Sequence, residues 1–224
     1  MSLHFVTFLL AATLAIAANL LWPGQFWHYA ALKTLTTVLV IGHAWQRGTP
    51  GEPRRQALLI GLGLSLVGDI ALLWPQQGFL PGLVAFLLAH LAYLYAFTRR
   101  LRFGAWPLAF VAYALLAAAV LSVLWPGVPS ALRLPVLAYV LCLAAMAAQT
   151  ASAWHAARGT PGEPLMRSAA IGGALFLLSD ALLAFNRFHT PLAASALWIL
   201  ASYWAAQWLI ASALPPRQHA DDDA

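Results

Sequence analysis

The sequence predicts an all-α polytopic membrane protein, a bundle of eight transmembrane helices over residues 1–214 with no soluble domain. Three observations predict it. The 224 residues are 62% hydrophobic and only 8% charged, with a mean hydropathy of +0.76, whereas a soluble domain carries about 25% charged residues. Eight apolar runs of roughly 20 residues can be marked, each long enough to cross a bilayer core. The arginines then sort by side. Nine (47, 54, 55, 99, 100, 102, 158, 167 and 217) fall in alternate loops and the tail, against Arg133 and Arg187 on the opposite side. The positive-inside rule therefore places both termini in the cytoplasm.

The first run, 3–22, ends in alanines like a signal peptide but lacks a basic leader and is long enough to span, so it reads as a first helix. The others follow at 26–46, 56–74, 79–98, 105–125, 132–155, 165–185 and 191–213. Breaks between them carry the Pro/Gly punctuation of turns: WPGQ, GTPGEP, WPQQG, WPGVP, GTPGEP and HTP. The end, 215–224, is polar and reads as a disordered cytoplasmic tail.

The heptapeptide RGTPGEP occurs twice, at Arg47–Pro53 and Arg158–Pro164, 111 residues apart. Extended forward, 47–74 and 158–185 agree at 13 of 28 positions, and Asp69 aligns with Asp180. LWPG recurs at 21–24 and 124–127, an offset of 103. Two similar loops with similar duties would explain the heptapeptide. A duplication of four helices explains the longer match, and an even number gives parallel repeats about an axis along the membrane normal. The heptapeptide itself ends one helix with Gly and Pro and begins the next with Glu-Pro. It lacks the phosphate-loop pattern.

Glu52 and Glu163 lie in loops and Asp221, Asp222 and Asp223 in the tail, so Asp69 and Asp180 are the only acids inside spans. An ionised Asp in the bilayer core costs about 2.5–3.5 kcal/mol on insertion scales, so the pair invites a functional reading over a purely structural hydrogen bond. About 14–15 residues into inward-starting helices, both sit roughly 21 Å along, in the outer half. Lys33, the only lysine, is placed at similar depth to pair with or orient one acid; snorkelling outward is the plainer alternative. Asn19, His90, Tyr93, Tyr139, Tyr203 and Gln207 lie at similar or middle depth and suggest a polar cavity. Asn186, beside Arg187 at the outer end of the seventh run, either lines its mouth or anchors at the interface. A single cysteine, Cys142, excludes a disulfide framework. No metal motif, hydrolase elbow or cofactor loop is present, and scattered arginines do not make a nucleic-acid surface. No metal or cofactor is expected, and the sequence carries no readable signal for a protein partner. Two carboxylates without a nucleophile point to acid–base chemistry, one protonated and one ionised if they share a pocket.

These residues carry a resemblance. VGDIALL at 67–73, AFLLAHLAY at 85–93, GGALFLLSDALLAFNRF at 172–188, SYWAAQWLI at 202–210 and the Lys33 helix resemble the YhhN family of integral membrane proteins, over nearly the whole chain. Family members often have Pro after the helix-two lysine, where this chain has Thr34. The resemblance implies a lysoplasmalogenase-type hydrolase that cleaves the vinyl ether of a lysolipid to a fatty aldehyde and a glycerophospho-base. The partners it leads us to expect are a lysolipid or ether-lipid substrate and membrane lipids. It implies Asp69 and Asp180 as the acid–base pair, in either order, with Lys33, His90 and Tyr203 tuning them, in a bacterial inner membrane. The rival from the same residues is a proton-coupled transporter of a small molecule or lipid, and a structural membrane protein is a third class.

Overall fold

A computed structural model describes residues 2–217, and the described chain is all-helical. The eight helices are α1 (Leu3–Leu21), α2 (Phe26–Trp45), α3 (Pro53–Ala71), α4 (Phe79–Thr98), α5 (Pro107–Leu124), α6 (Ser130–Ala157), α7 (Glu163–Phe188) and α8 (Ser195–Ala211). A 3₁₀ turn at Trp125–Gly127 joins α5 to α6. The helix count matches the eight apolar runs, and the boundaries move where chemistry moves them. Ser2 caps α1, its Oγ accepting from the Phe5 N–H. Proline opens α3 and α5 and sits within the first turn of α7, where its missing N–H costs nothing.

Five helices are long and apolar enough to cross a membrane: α1, α4, α5 with its 3₁₀ turn, α6 and α7. The other three are the polar ones. α2 buries Lys33, Thr36 and Thr37; α3 buries Arg54, Arg55, Ser65 and Asp69; α8, 17 residues long, buries Tyr203 and Gln207. Large apolar side chains such as Leu108, Leu115 and Leu134 stand exposed on the outside, as suits a lipid-facing surface.

Each helix packs on its sequence neighbour within α1–α2–α3–α4 and within α5–α6–α7–α8. The two sets join by α4 against α6 and by α8 against α2 and α1. Close approach is bought with small residues. A Cβ on Gly61 would stand 2.3 Å from the Tyr93 ring, and one on Gly172 only 2.9 Å from the Ala206 carbonyl oxygen. Tyr93 is fully buried and hydrogen-bonded, so it cannot yield. Gly61→Ala is therefore expected to lower stability by about 1–3 kcal/mol. Gly63→Ala meets nothing within 4 Å and is expected to raise it by about 0.5–1 kcal/mol. Thermal melting of the two variants in detergent checks the contrast.

At one end of the bundle the first heptapeptide clamps α8. The Arg47 guanidinium donates to the Leu214 and Ser212 carbonyls (2.8 and 3.3 Å), and Arg54 donates to that of Ala213 (3.1 Å). Arg55 donates to the Trp45 and Arg47 carbonyls, both at 2.9 Å. Cations on the free carbonyls of helix C-termini are favourable, and this clamp sets α8 against α2 and α3. The start of the tail belongs to it: the Gly48 N–H donates to the Pro215 carbonyl (2.8 Å), and Arg217 donates to that of Trp45 (2.7 Å). The rest of the expected tail, 218–224, lies outside the described residues.

Candidate active site

Two acid-centred clusters occupy the bundle. The first is built on α2, α3 and α8 around Asp69. Its Oδ2 accepts from the hydroxyls of Thr37 and Tyr203, both at 2.7 Å. Lys33 Nζ lies 3.3 Å from Oδ1 and donates to the Asp69 backbone carbonyl at 2.9 Å. The network runs on: Gln207 donates its amide N–H to the Tyr203 hydroxyl (3.0 Å), Tyr93 donates to Gln207 Oε1 (2.8 Å), and Ser65 bonds Tyr93 (3.1 Å). Trp204 Nε1 donates to Thr37 Oγ1 (3.2 Å). Lys33 and Asp69 are 4% and 3% exposed, so each charge has the other as its compensation in a low-dielectric place.

The second cluster is built on α4, α6 and α7 around Asp180. The Tyr139 hydroxyl donates a short hydrogen bond to Asp180 Oδ2. His90 Nε2 lies 3.0 Å from that hydroxyl and 3.6 Å from the same carboxylate oxygen. His90 is fully buried and its Nδ1 has no hydrogen-bond partner among the described residues. Unlike Asp69, Asp180 faces open space. It lines a cavity between α4, α5, α6 and α7, whose other lining residues, Tyr139 apart, are all apolar.

The expectation that the two acids share one pocket and one proton is corrected by this arrangement. They have no hydrogen-bond partner in common, and Asp69 does not line the cavity. Aromatic rings stand between the clusters. Phe176 packs edge-on against His90 (4.5 Å between centroids) and against Tyr203 (5.5 Å), and Phe86 packs against both Phe176 and Tyr203. The two acids are nonetheless placed alike. Each is held by the helix before its own and by a helix of the other half: α2 and α8 for Asp69, α6 and α4 for Asp180.

Of the remaining sequence candidates, Lys33, Tyr203, Gln207 and Tyr93 gather around Asp69, and His90 and Tyr139 around Asp180. Asn186 is spent locally, its Oδ1 accepting from the Leu192 N–H (2.8 Å), and Arg187 stacks over Phe79 at 4.5 Å. Asn19 lines a separate cleft. Thr37, Trp204 and Ser65 were not singled out from sequence. Helical spacing was the available signal: Thr37 is four residues from Lys33, and Ser65 four from Asp69.

The family model described as the YhhN family matches residues 28–214, a stretch that includes every residue of both clusters. The chain is 37% identical over 185 residues to lysoplasmalogenase TMEM86B of Homo sapiens, covering 82% of this chain and 74% of that protein. It is 31% identical over 172 residues to lysoplasmalogenase TMEM86A of Homo sapiens, covering 75% and 69%. It is also 27% identical over 211 residues to the uncharacterized membrane protein YhhN of Escherichia coli O157:H7, covering 94% and 97%. No solved structure matches the chain.

Proposed function

The chain belongs to the YhhN family, and from that premise we propose that it is a membrane-embedded hydrolase of the lysoplasmalogenase type, cleaving the vinyl ether of a lysolipid. The observation that carries the reading is Asp180 with its Tyr139 partner as the polar spot on the wall of an otherwise apolar cavity. An apolar tunnel suits an alkenyl chain, and a carboxyl on its wall suits acid-catalysed opening of that chain's vinyl ether.

Asp180 delivers a proton to the second alkenyl carbon, and the first carbon becomes an oxocarbenium bonded to the ether oxygen. The carboxylate left behind faces that cation and takes a proton from the water that adds to it. The hemiacetal then collapses to a fatty aldehyde and the glycerophospho alcohol, with no net change in protons. Tyr139, donating to Asp180, and His90, bonded to Tyr139, hold the carboxyl in place and link it to a buried proton acceptor. Asp69 and Lys33 act at one remove. They fix α2, α3 and α8, and through Tyr203, Phe176 and Phe86 the far wall of the site.

In this reading all eight helices cross the membrane, the three polar ones turning their polar residues inward and apolar side chains such as Trp27, Ile60 and Trp198 outward, with both termini on the arginine-rich cytoplasmic side. The halves are parallel repeats. The reciprocal crossings of α4 with α6 and α8 with α2 support that, as does the like placement of the two acids. The bacterial inner membrane is the location that fits.

Purified protein in vesicles containing a vinyl-ether lysolipid is expected to release fatty aldehyde, read by mass spectrometry. Proton-coupled uptake with no aldehyde from any such lipid would overturn the hydrolase in favour of a transporter. The chain-binding role of the cavity has its own check. Ala184→Trp, on the cavity wall, is expected to cut kcat/KM for long alkenyl chains about tenfold or more and for short ones far less, since each excluded methylene forfeits burial.

A further inference from the structure

A second cleft lies at the same end of the bundle as the apolar cavity, whose lining includes Phe79, Leu124 and Phe188 at helix ends. The cleft is formed by the C-terminal ends of α1 and α3 and the N-terminal end of α2, and is open on one side. Its character differs from its neighbour's. The amides of Asn19 and Gln25 and the hydroxyl of Tyr29 line it, together with the rings of Trp22 and Phe26. Those three polar side chains make no hydrogen bond with any described residue, so they are free to meet a ligand. No charged side chain lines the cleft.

Two further facts tie it to the cavity. Leu72 lines both, so the two spaces meet at one side chain. Leu72 is also three residues, about 4.5 Å, beyond Asp69 along α3, toward the end of the bundle where both spaces lie. In addition, four of the cleft's ten lining residues, Ala18, Gln25, Leu72 and Leu73, match cavity-lining positions at the offsets of the sequence repeat. Adding the sequence offsets of 103 and 111 turns its Ala18, Gln25 and Leu72 into Leu121, Val128 and Leu183, all of which line the apolar cavity. At one of these places the cavity presents Val128 where the cleft presents the amide of Gln25.

We propose that this cleft is the subsite for the head of the lysolipid, a zwitterionic glycerophospho-base; the proposal rests on the hydrolase reading above. With the alkenyl chain in the cavity and its ether at Asp180, the glycerol leaves toward the open end and passes Leu72 into the cleft. Amide N–H groups and a hydroxyl donate to phosphate oxygens without a fixed cation. Aromatic faces receive an ammonium through their quadrupoles. A lining without net charge suits a head group without net charge, since neither leaves an unpaired ion desolvated.

The test is the double variant Asn19→Ala/Gln25→Ala, with thermal melting in detergent confirming an unchanged fold. Aldehyde release is measured on a vinyl-ether lysophosphocholine and on a 1-alkenylglycerol, which has the same chain and no phospho-base. The expected result is a KM raised about tenfold for the first, with kcat kept, and a KM within about twofold of wild type for the second. Equal KM changes for both substrates, or no change for either, overturn the subsite. If the wild-type protein releases no aldehyde at all, the hydrolase reading fails separately. The subsite is then read by calorimetric binding of an alkyl-ether lysophosphocholine in detergent, where about tenfold weaker binding by the variant supports it and equal affinity overturns it.

Discussion

Asp180→Asn is expected to lower aldehyde release by about 10²–10⁴-fold, the range that a positioned proton donor or acceptor contributes, while leaving the fold intact. The amide keeps the size of the carboxyl and can still accept from Tyr139, so the cavity and the α6–α7 contact survive. The proton is what is lost. The variant should bind substrate with near-normal KM, because chain burial in the apolar cavity is untouched, and the whole deficit should appear in kcat. Activity within about threefold of wild type would remove Asp180 from the chemistry and with it the mechanism proposed. Tyr139→Phe is the companion: it takes away the short hydrogen bond to Asp180 and should give a smaller loss of kcat at similar stability.

At the other acid the expected effect is on the fold. Lys33 and Asp69 are buried as a pair, 3.3 Å apart. Asp69→Asn leaves an ammonium with no compensating charge in the bundle, and breaking a buried pair from one side costs about 3–5 kcal/mol. The Thr37 and Tyr203 hydroxyls also face an amide in place of a carboxylate. Melting temperature in detergent should fall steeply, and activity with it. Lys33→Met/Asp69→Leu removes both charges and should recover much of the stability, since apolar replacement of a whole buried pair is often neutral or better. A double-mutant cycle on melting free energies measures the coupling. If Asp69→Asn melts like wild type yet releases no aldehyde, Asp69 is itself part of the proton chemistry and the division of labour drawn here is wrong.

That division was not legible in the sequence. Asp69 and Asp180 stand at matching places in matching segments, so the sequence offers them as equals, and a shared pocket is the simplest reading of two equal acids. Their difference lies in what surrounds them. Lys33 falls on α2 beside Asp69, while α6 brings Tyr139 to the corresponding place beside Asp180. The space around Asp69 is filled by Tyr203, Thr37 and Trp204, and that beside Asp180 is left open. Single-chain periodicity cannot show which of two helix faces has been packed solid, because packing is a property of three or four helices together.

The repeated heptapeptide teaches the same lesson on a smaller scale. Its two copies are identical in sequence and share the positive φ of their first glycines, 69° at Gly48 and 73° at Gly159, where the missing Cβ is what permits the turn. Beyond that they diverge. Gly51 has φ of 82°, while its counterpart Gly162 sits at −82° as the cap of α7. Arg47 caps α8, whereas Arg158 stacks over Trp154. Glu52 accepts from Arg100 at the end of α4 (2.9 Å), whereas Glu163 accepts from its own loop at the Gly159 N–H (2.8 Å). Local sequence specifies the turn; the neighbours specify what its side chains hold.

What the sequence determined by itself was the set of eight helices, their order and most of the polar residues that gather at Asp69 and Asp180. Those follow from local terms: apolar run length, Pro and Gly at the ends, and the rarity of charge in a chain with so little of it. What the tertiary structure alone decided was which polar residues meet, that the acids sit in separate clusters, and that one of them opens on a cavity. Partners on α2 and α8, or on α4 and α7, lie many tens of residues apart along the chain. Helix periodicity correlates neighbours over a few turns, and only the crossing geometry of packed helices carries such contacts.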